Sequence, residues 1–151
     1  MTTQDQALGS LLWKFTDWIM ANKGKNCLQL ATRENLFRYV ALCWLTGRLN
    51  VSTDDQNRIT AVVFSWTDWR EHIELKAAEG RQQFESHTHK GDAIFVAEVI
   101  GSRSGVSRIY QGAIEKFPHL SVTPIFTYRK NKLVQLTWNE IERFMGGKFK
   151  C

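Results

Sequence analysis

Glu98 is the residue of this chain best placed to carry a proton. It interrupts Ile94-Phe95-Val96-Ala97-Glu98-Val99-Ile100, a run that is otherwise apolar and reads as a central strand covered on both faces. A carboxylate desolvated in such a strand has its charged form disfavoured. That raises its pKa toward neutrality and suits it to general-base chemistry. A structural ion pair with a nearby Lys or Arg is the competing role. Directly after the run comes Gly101-Ser102-Arg103-Ser104-Gly105, a small-residue loop, and then a predicted helix over 106–116 that Pro118 stops. A strand feeding a helix through small residues turns backbone N–H groups toward the gap between them, where an anionic group can sit. Ser102, Arg103, Ser104, Gly105 and Val106 are the candidate ligand-binding residues of that loop. Arg103 could meet a phosphate or an acidic protein face, or remain solvated.

Other groups offer less. His87-Thr88-His89 presents two imidazoles in a loop with no third ligand at a recognised spacing, so no metal site is expected. Cys27, Cys43 and Cys151 make an odd count without a Cys-x-x-Cys pair, which gives neither a disulfide framework nor a zinc site and points to a reducing, cytoplasmic setting. Cys27 would act as a nucleophile only with a base to lower its pKa, and none lies near it in sequence. The net charge of +5 is mild. Its densest clusters are Arg129-Lys130-Asn131-Lys132 and Lys148-Phe149-Lys150. Tyr128 beside the first is the one local nucleic-acid candidate, and a hairpin turn accounts for it better, so nucleic acid is not expected as a partner. Six Trp residues, among them Trp18, Trp44, Trp66 and Trp69, serve either a core or an interface.

These residues need a framework. The 151-residue length, with 43% hydrophobic and 23% charged residues, fits a single globular domain over 1–151. The opening MTTQDQALGS lacks the pattern of a signal peptide, and no run of eighteen apolar residues suggests a transmembrane segment. Leu8, Leu11, Leu12, Phe15, Trp18 and Ile19 recur at helical spacing, predicting an amphipathic helix over 4–21. Thr32 caps a second predicted helix over 33–46, closed by Gly47. A brief strand over 49–51, a polar turn at 54–57 and a strand over 59–66 follow, then a surface helix over 70–85. After the central unit, 120–128 is extended, with Pro124 marking an edge or bulge. The segment 133–136 returns as its partner, and Thr137-Trp138-Asn139-Glu140 opens a last helix through 145. The expected class is α+β, a mixed, largely antiparallel sheet flanked by helices, with 94–100 near its centre.

That order of elements resembles the GNAT acetyltransferase-like fold. More specifically, the chain resembles the toxin-activating lysine acyltransferases, which move a fatty acyl chain from acyl carrier protein to a toxin lysine. Four stretches carry the resemblance: Leu8-Gly9 followed by Trp13; Val62-Val63-Phe64-Ser65-Trp66; Phe95-Val96-Ala97-Glu98 through Gly105 to Lys116-Phe117-Pro118; and Gly146-Gly147-Lys148. The resemblance implies an N-acyltransferase with no tightly bound cofactor, taking acyl-CoA or acyl carrier protein as donor and an amine, such as that of a protein acceptor, as acceptor. A main-chain N–H near Val99 or Ile100 would polarise the thioester, and Glu98 would take the amine proton. The chain departs from that family at its two functional positions. No His stands in 21–27, and Ala97 occupies the central-strand place of an Asp. Period-two alternation predicts Ala97 and Glu98 on opposite faces. Of the loop pattern Gln/Arg-x-x-Gly-x-Gly/Ala, only Gly105 is matched, within Ser102-Arg103-Ser104-Gly105-Val106-Ser107. A catalytically inactive GNAT-like structural or assembly protein, acting through protein contacts as a homo-oligomer or larger assembly, is therefore the alternative expectation.

Overall fold

Two helices open the chain, each started by a side chain that replaces a missing backbone acceptor. Thr2 Oγ1 accepts from the Asp5 N–H at 3.1 Å while Asp5 Oδ2 accepts from the Thr2 N–H at 3.2 Å, a capping box at the head of α1 (Thr3–Asn22). Thr32 Oγ1 accepts from the Asn35 N–H at 3.1 Å and starts α2 (Arg33–Leu45). A computed structural model describes residues 2–23, 32–78, 91–129 and 132–136. The expected helix over 137–145, the loop histidines His87 and His89, Cys27, Cys151 and the segment 146–148 lie outside the described residues.

After α2 come β1 (Leu49–Thr53), β2 (Ile59–Asp68), α3 (Arg70–Ala78), β3 (Ala93–Gly101), α4 (Arg103–Lys116), a 3-10 turn (Pro118–Val122), β4 (Ile125–Arg129) and β5 (Lys132–Leu136). The five strands form one mixed sheet in sequence order. All neighbours are antiparallel except β3 and β4, which run parallel with α4 as their crossover. The expected α+β class and the central place of β3 are as observed.

Helices cover both faces. Leu12, Phe15 and Ile19 of α1 and Leu36, Val40 and Cys43 of α2 pack on Leu49, Val62, Phe64 and Ile100. Ile73 of α3 joins Trp66, Phe95 and Phe126 further along the sheet. On the opposite face, Val106 of α4 meets Ala61, Val63, Val96 and Ile125. Ile19, Leu36 and Phe64 are fully buried, each contributing about 1.5–3 kcal/mol. No described helix is long and apolar enough to cross a membrane.

α4 begins three residues before its expected start at 106. Ser102 is its N-cap, and Ser102 Oγ accepts from the Gly105 N–H at 3.1 Å. The loop therefore shrinks to Gly101 and Ser102. Two glycines make this tight junction possible. Gly101 has φ +128°, and a Cβ there would collide with the Thr60 carbonyl. A Cβ on Gly105 would stand 2.6 Å from Thr60 Oγ1 and 2.8 Å from Ala61 Cβ.

The sheet carries one irregularity at its centre. Phe64 pairs with Glu98 but Ser65 pairs with Val96, so Ala97 is an extra residue on β3, a bulge. This corrects the expected alternation. Glu98 shares the face of its partner Phe64, and Ala97 packs against clusters of that same face. Both residues look toward α2. The parallel register of β3 with β4 spans only Ile94–Ile125 to Val96–Thr127. Thr127 Oγ1 then donates to the Val96 carbonyl at 2.8 Å. β3 continues to Gly101 beyond that point.

Gly105→Ala is expected to cost roughly 1–3 kcal/mol through overpacking against β2, read as a lower urea midpoint. Gly112→Ala, on the same helix with nothing within 4 Å of its added Cβ, should instead gain about 0.5–1 kcal/mol. Equal effects at the two positions would contradict the close α4–β2 approach.

Candidate functional site

The residues beyond the bulge assemble a polar group inside an apolar setting. α2 ends at Gly47, φ +71°, whose N–H reaches Trp44 O at 3.3 Å while the Arg48 N–H reaches Cys43 O at 2.7 Å. Arg48 O accepts from the Ser65 N–H at 2.9 Å. The backbone of Arg48 is thus fixed from both sides, by the helix end and by β2. Its guanidinium lies 5.6 Å from the Trp66 ring centre, a cation–π contact. Tyr39 and Cys43, one turn apart on α2, shift each other's protonation and feel the Arg48 charge. Tyr39 also feels Glu98, and its ring lies 5.2 Å from that of Phe64.

Electrostatics here are dominated by burial. Desolvation pushes the Cys43 thiol up to about 11, against a smaller lowering by the Tyr39 hydrogen bond and Arg48. Burial raises the Tyr39 phenol well above its ordinary range, with Cys43 and Glu98 adding to the shift. Cys43 is therefore a neutral core thiol, not a nucleophile. Arg48 Nε and Trp66 Nε1 are buried and meet no hydrogen-bond acceptor among the described residues. A buried donor without an acceptor costs about 1–3 kcal/mol.

The residues singled out in the sequence fall on both faces of the sheet. Glu98 faces α2. Ile100 pairs with Val62 and is fully buried on the same side. Val99 pairs with Val63 and packs on the α4 face, where Ser102, Arg103, Ser104, Gly105 and Val106 form the junction into α4 and its first turn. Three N–H groups of that turn are engaged within the chain. Ser102 donates to Thr60 O at 2.9 Å, Gly105 to Ser102 Oγ at 3.1 Å and Val106 to Ser102 O at 3.0 Å. Arg103 and Ser104 are its exposed residues. Trp66 is a core residue, 6% exposed, whereas Trp69 is half exposed.

One pairing was not anticipated. Asp68, fully buried at the end of β2, holds His72 Nδ1 at 2.9 and 3.0 Å through its two carboxylate oxygens. It also accepts from the Trp69 N–H at 2.8 Å. Asp92 Oδ1 accepts from the Arg70 N–H at 2.8 Å and anchors the start of α3. The i, i+4 spacing of Asp68 and His72 across a strand–helix junction is the signal that could have found the pair. Among the described residues no group of three or more His, Cys, Asp or Glu gathers as a metal site. Compared with protein-family models, curated proteins and solved structures, the chain matches none.

The raised pKa values carry a sign. The folded state keeps the Cys43 proton up to about pH 11, whereas an ordinary thiol releases it near 9. The associated stability is complete below pH 9 and is lost as pH rises from 9 through 11. Tyr110, pushed by burial from 10 to about 12, adds a loss starting one unit higher. The urea midpoint should hold between pH 7 and 8.5 and fall above 9, by at most ~1.4 kcal/mol per pH unit for each group. An unchanged midpoint at pH 10.5 would refute the buried, protonated state of these groups.

Proposed function

We propose that the protein is a GNAT-like N-acyltransferase that moves an acyl group from a thioester donor, acyl-CoA or acyl carrier protein, to an amine. The observation carrying this reading is the parting of β3 from β4 after Val96 and Thr127, directly beside the bulge at Ala97. A gap between parallel strands suits an extended thioester, and β3 runs on beside it through Val99 and Ile100 to Gly101. The start of α4, with exposed Arg103 and Ser104, favours the donor's phosphates on one face. Glu98 lies on the other face, on the side of Tyr39, Cys43 and Arg48. Donor and acceptor then meet through the sheet from opposite sides.

The chemistry balances without a cofactor. The amine nitrogen attacks the thioester carbonyl, the C–N bond forms and the C–S bond breaks. Glu98 takes the proton lost by the amine, and the departing thiolate is protonated to the free thiol.

A second reading, a non-catalytic assembly protein on the same framework, is favoured by large apolar side chains left on the surface. Leu42 and Leu45 of α2 are 54% and 70% exposed, and Trp69 and Leu75 beside and on α3 are 50% and 60% exposed.

Calorimetric titration with acetyl-CoA, a long-chain acyl-CoA and acylated carrier protein separates the two. Saturable binding of at least one donor is expected. Failure of all three, with a large stable assembly on size-exclusion chromatography, would leave the assembly reading. Glu98→Gln should lower the transfer rate about 10²–10⁴-fold while donor affinity stays within twofold. An unchanged rate removes Glu98 from the base role.

A further inference from the structure

Asp68 is a carboxylate that the acyltransferase reading does not use. It is fully buried at the end of β2, and both of its oxygens face one ring nitrogen, His72 Nδ1, at 2.9 and 3.0 Å. Anchoring the start of α3 does not account for that arrangement, because Asp92 Oδ1 already takes the Arg70 N–H at 2.8 Å. An ionised carboxylate only accepts, so the proton between Asp68 and His72 sits on Nδ1 and the imidazole lone pair falls on Nε2. The His72 side chain is 38% exposed. A buried acid thus sets the tautomer and the angle of an imidazole that reaches solvent, the pairing of base and orienting group that hydrolytic sites use.

We infer that Asp68 and His72, with Trp69 and Leu75, form a separate site that hydrolyses carboxylic esters bearing an apolar acyl chain. The flanks of His72 select the substrate. Trp69, His72 and Leu75 recur three residues apart, and positions three apart are neighbours on a helix surface. Trp69 and Leu75 are half exposed or more, whereas Ile73 turns into the core. His72 therefore stands on the solvent side of α3 between two apolar side chains that can hold an acyl chain. An ester is the carbonyl compound that a base and water hydrolyse most readily. His72 Nε2 takes a proton from water while the water oxygen attacks the ester carbonyl. The C–O bond to the alcohol breaks, and the proton on Nε2 passes to the departing alkoxide. Ester and water become acid and alcohol, and the imidazole is restored. Asp68 is the positioning residue, and it offsets the imidazolium charge that forms on the way. The site stands apart from Glu98. Asp68 pairs with Ala93, whereas Glu98 pairs with Phe64, about 13 Å back along β2. The inference does not rest on the acyltransferase reading.

The test uses the full chain and follows release of p-nitrophenol from its acetate and octanoate esters. Saturable hydrolysis is expected, with kcat/KM for the octanoate about tenfold or more above that for the acetate. His72→Ala should lower kcat by about 10²-fold or more. Free imidazole should restore part of that loss, which it would not do for a merely structural histidine. His119→Gln, which removes another exposed imidazole, should leave the rate unchanged. Trp69→Ser should raise KM for the octanoate about fivefold while the acetate rate stays in place. Asp68→Asn should lower kcat about tenfold or more with KM unchanged. If that variant loses its dispersed amide signals, the His72 and Trp69 variants decide alone. Absence of saturable hydrolysis, an undiminished rate in His72→Ala, no rescue by imidazole, or equal kcat/KM for the two esters overturns the inference. Binding of acyl-CoA, titrated separately, should be the same in His72→Ala as in the unaltered chain, so this inference and the acyltransferase reading fail independently.

Discussion

Ala97 is a residue that β2 does not pair. Its insertion between Val96 and Glu98 turns two consecutive β3 side chains to one face. A regular strand would have aimed Glu98 at α4, into the packing of Val63, Val96 and Val106, where a carboxylate has no polar company. The bulge instead delivers it to the side where Tyr39, Cys43 and Arg48 lie. The extra twist that accompanies a bulge also falls where β4 leaves the sheet.

The two faces are built by different rules. On the α1–α2 side, aliphatic and aromatic side chains fill the space, and Trp13 stacks on Phe37 with ring centres 4.0 Å apart while Arg33 covers Trp13 at 4.1 Å and clasps Asp17 at 2.7 Å. That clasp is half exposed, so solvent screens it and it adds little to stability. On the α4 side, close backbone approach replaces bulk, through Gly101 and Gly105 against Thr60 and Ala61. Among the described residues, the face with bulky packing holds Arg48 Nε and Trp66 Nε1 without an acceptor, while the start of α4 engages three of its N–H groups within the chain.

Much of the framework was legible in the sequence because periodicity and caps are local. The helix from Thr3, the helix capped by Thr32, and the strands around Val63 and Val96 all follow from residues within one or two turns of each other. The start of α4 was misread because Ser102 resembles a loop residue and an N-cap equally well, and only its bond to the Gly105 N–H decides. The bulge was invisible because nothing in Ala97-Glu98 differs from an ordinary strand pair. It arises from the register with Phe64 and Ser65, thirty residues away. Arg48 was passed over for the same reason. In sequence it follows a helix-ending glycine like any surface cation, and its contact with Trp66 is a property of the sheet.

The start of α4 is fastened to β2 rather than to β4. Ser102 and Gly105 meet Thr60 and Ala61, and Arg108 reaches the Thr53 carbonyl at 3.3 Å. Among the described residues, the β4–β5 ribbon joins β3 over three residue pairs, the Thr127 hydroxyl and an Ile94 N–H to Pro124 O bond of 2.9 Å, and α3 through Arg70 Nη2 to Gln135 Oε1 at 3.4 Å. The mechanical consequence is that the helix terminus takes its place from the β1–β2 hairpin rather than from the β4–β5 ribbon.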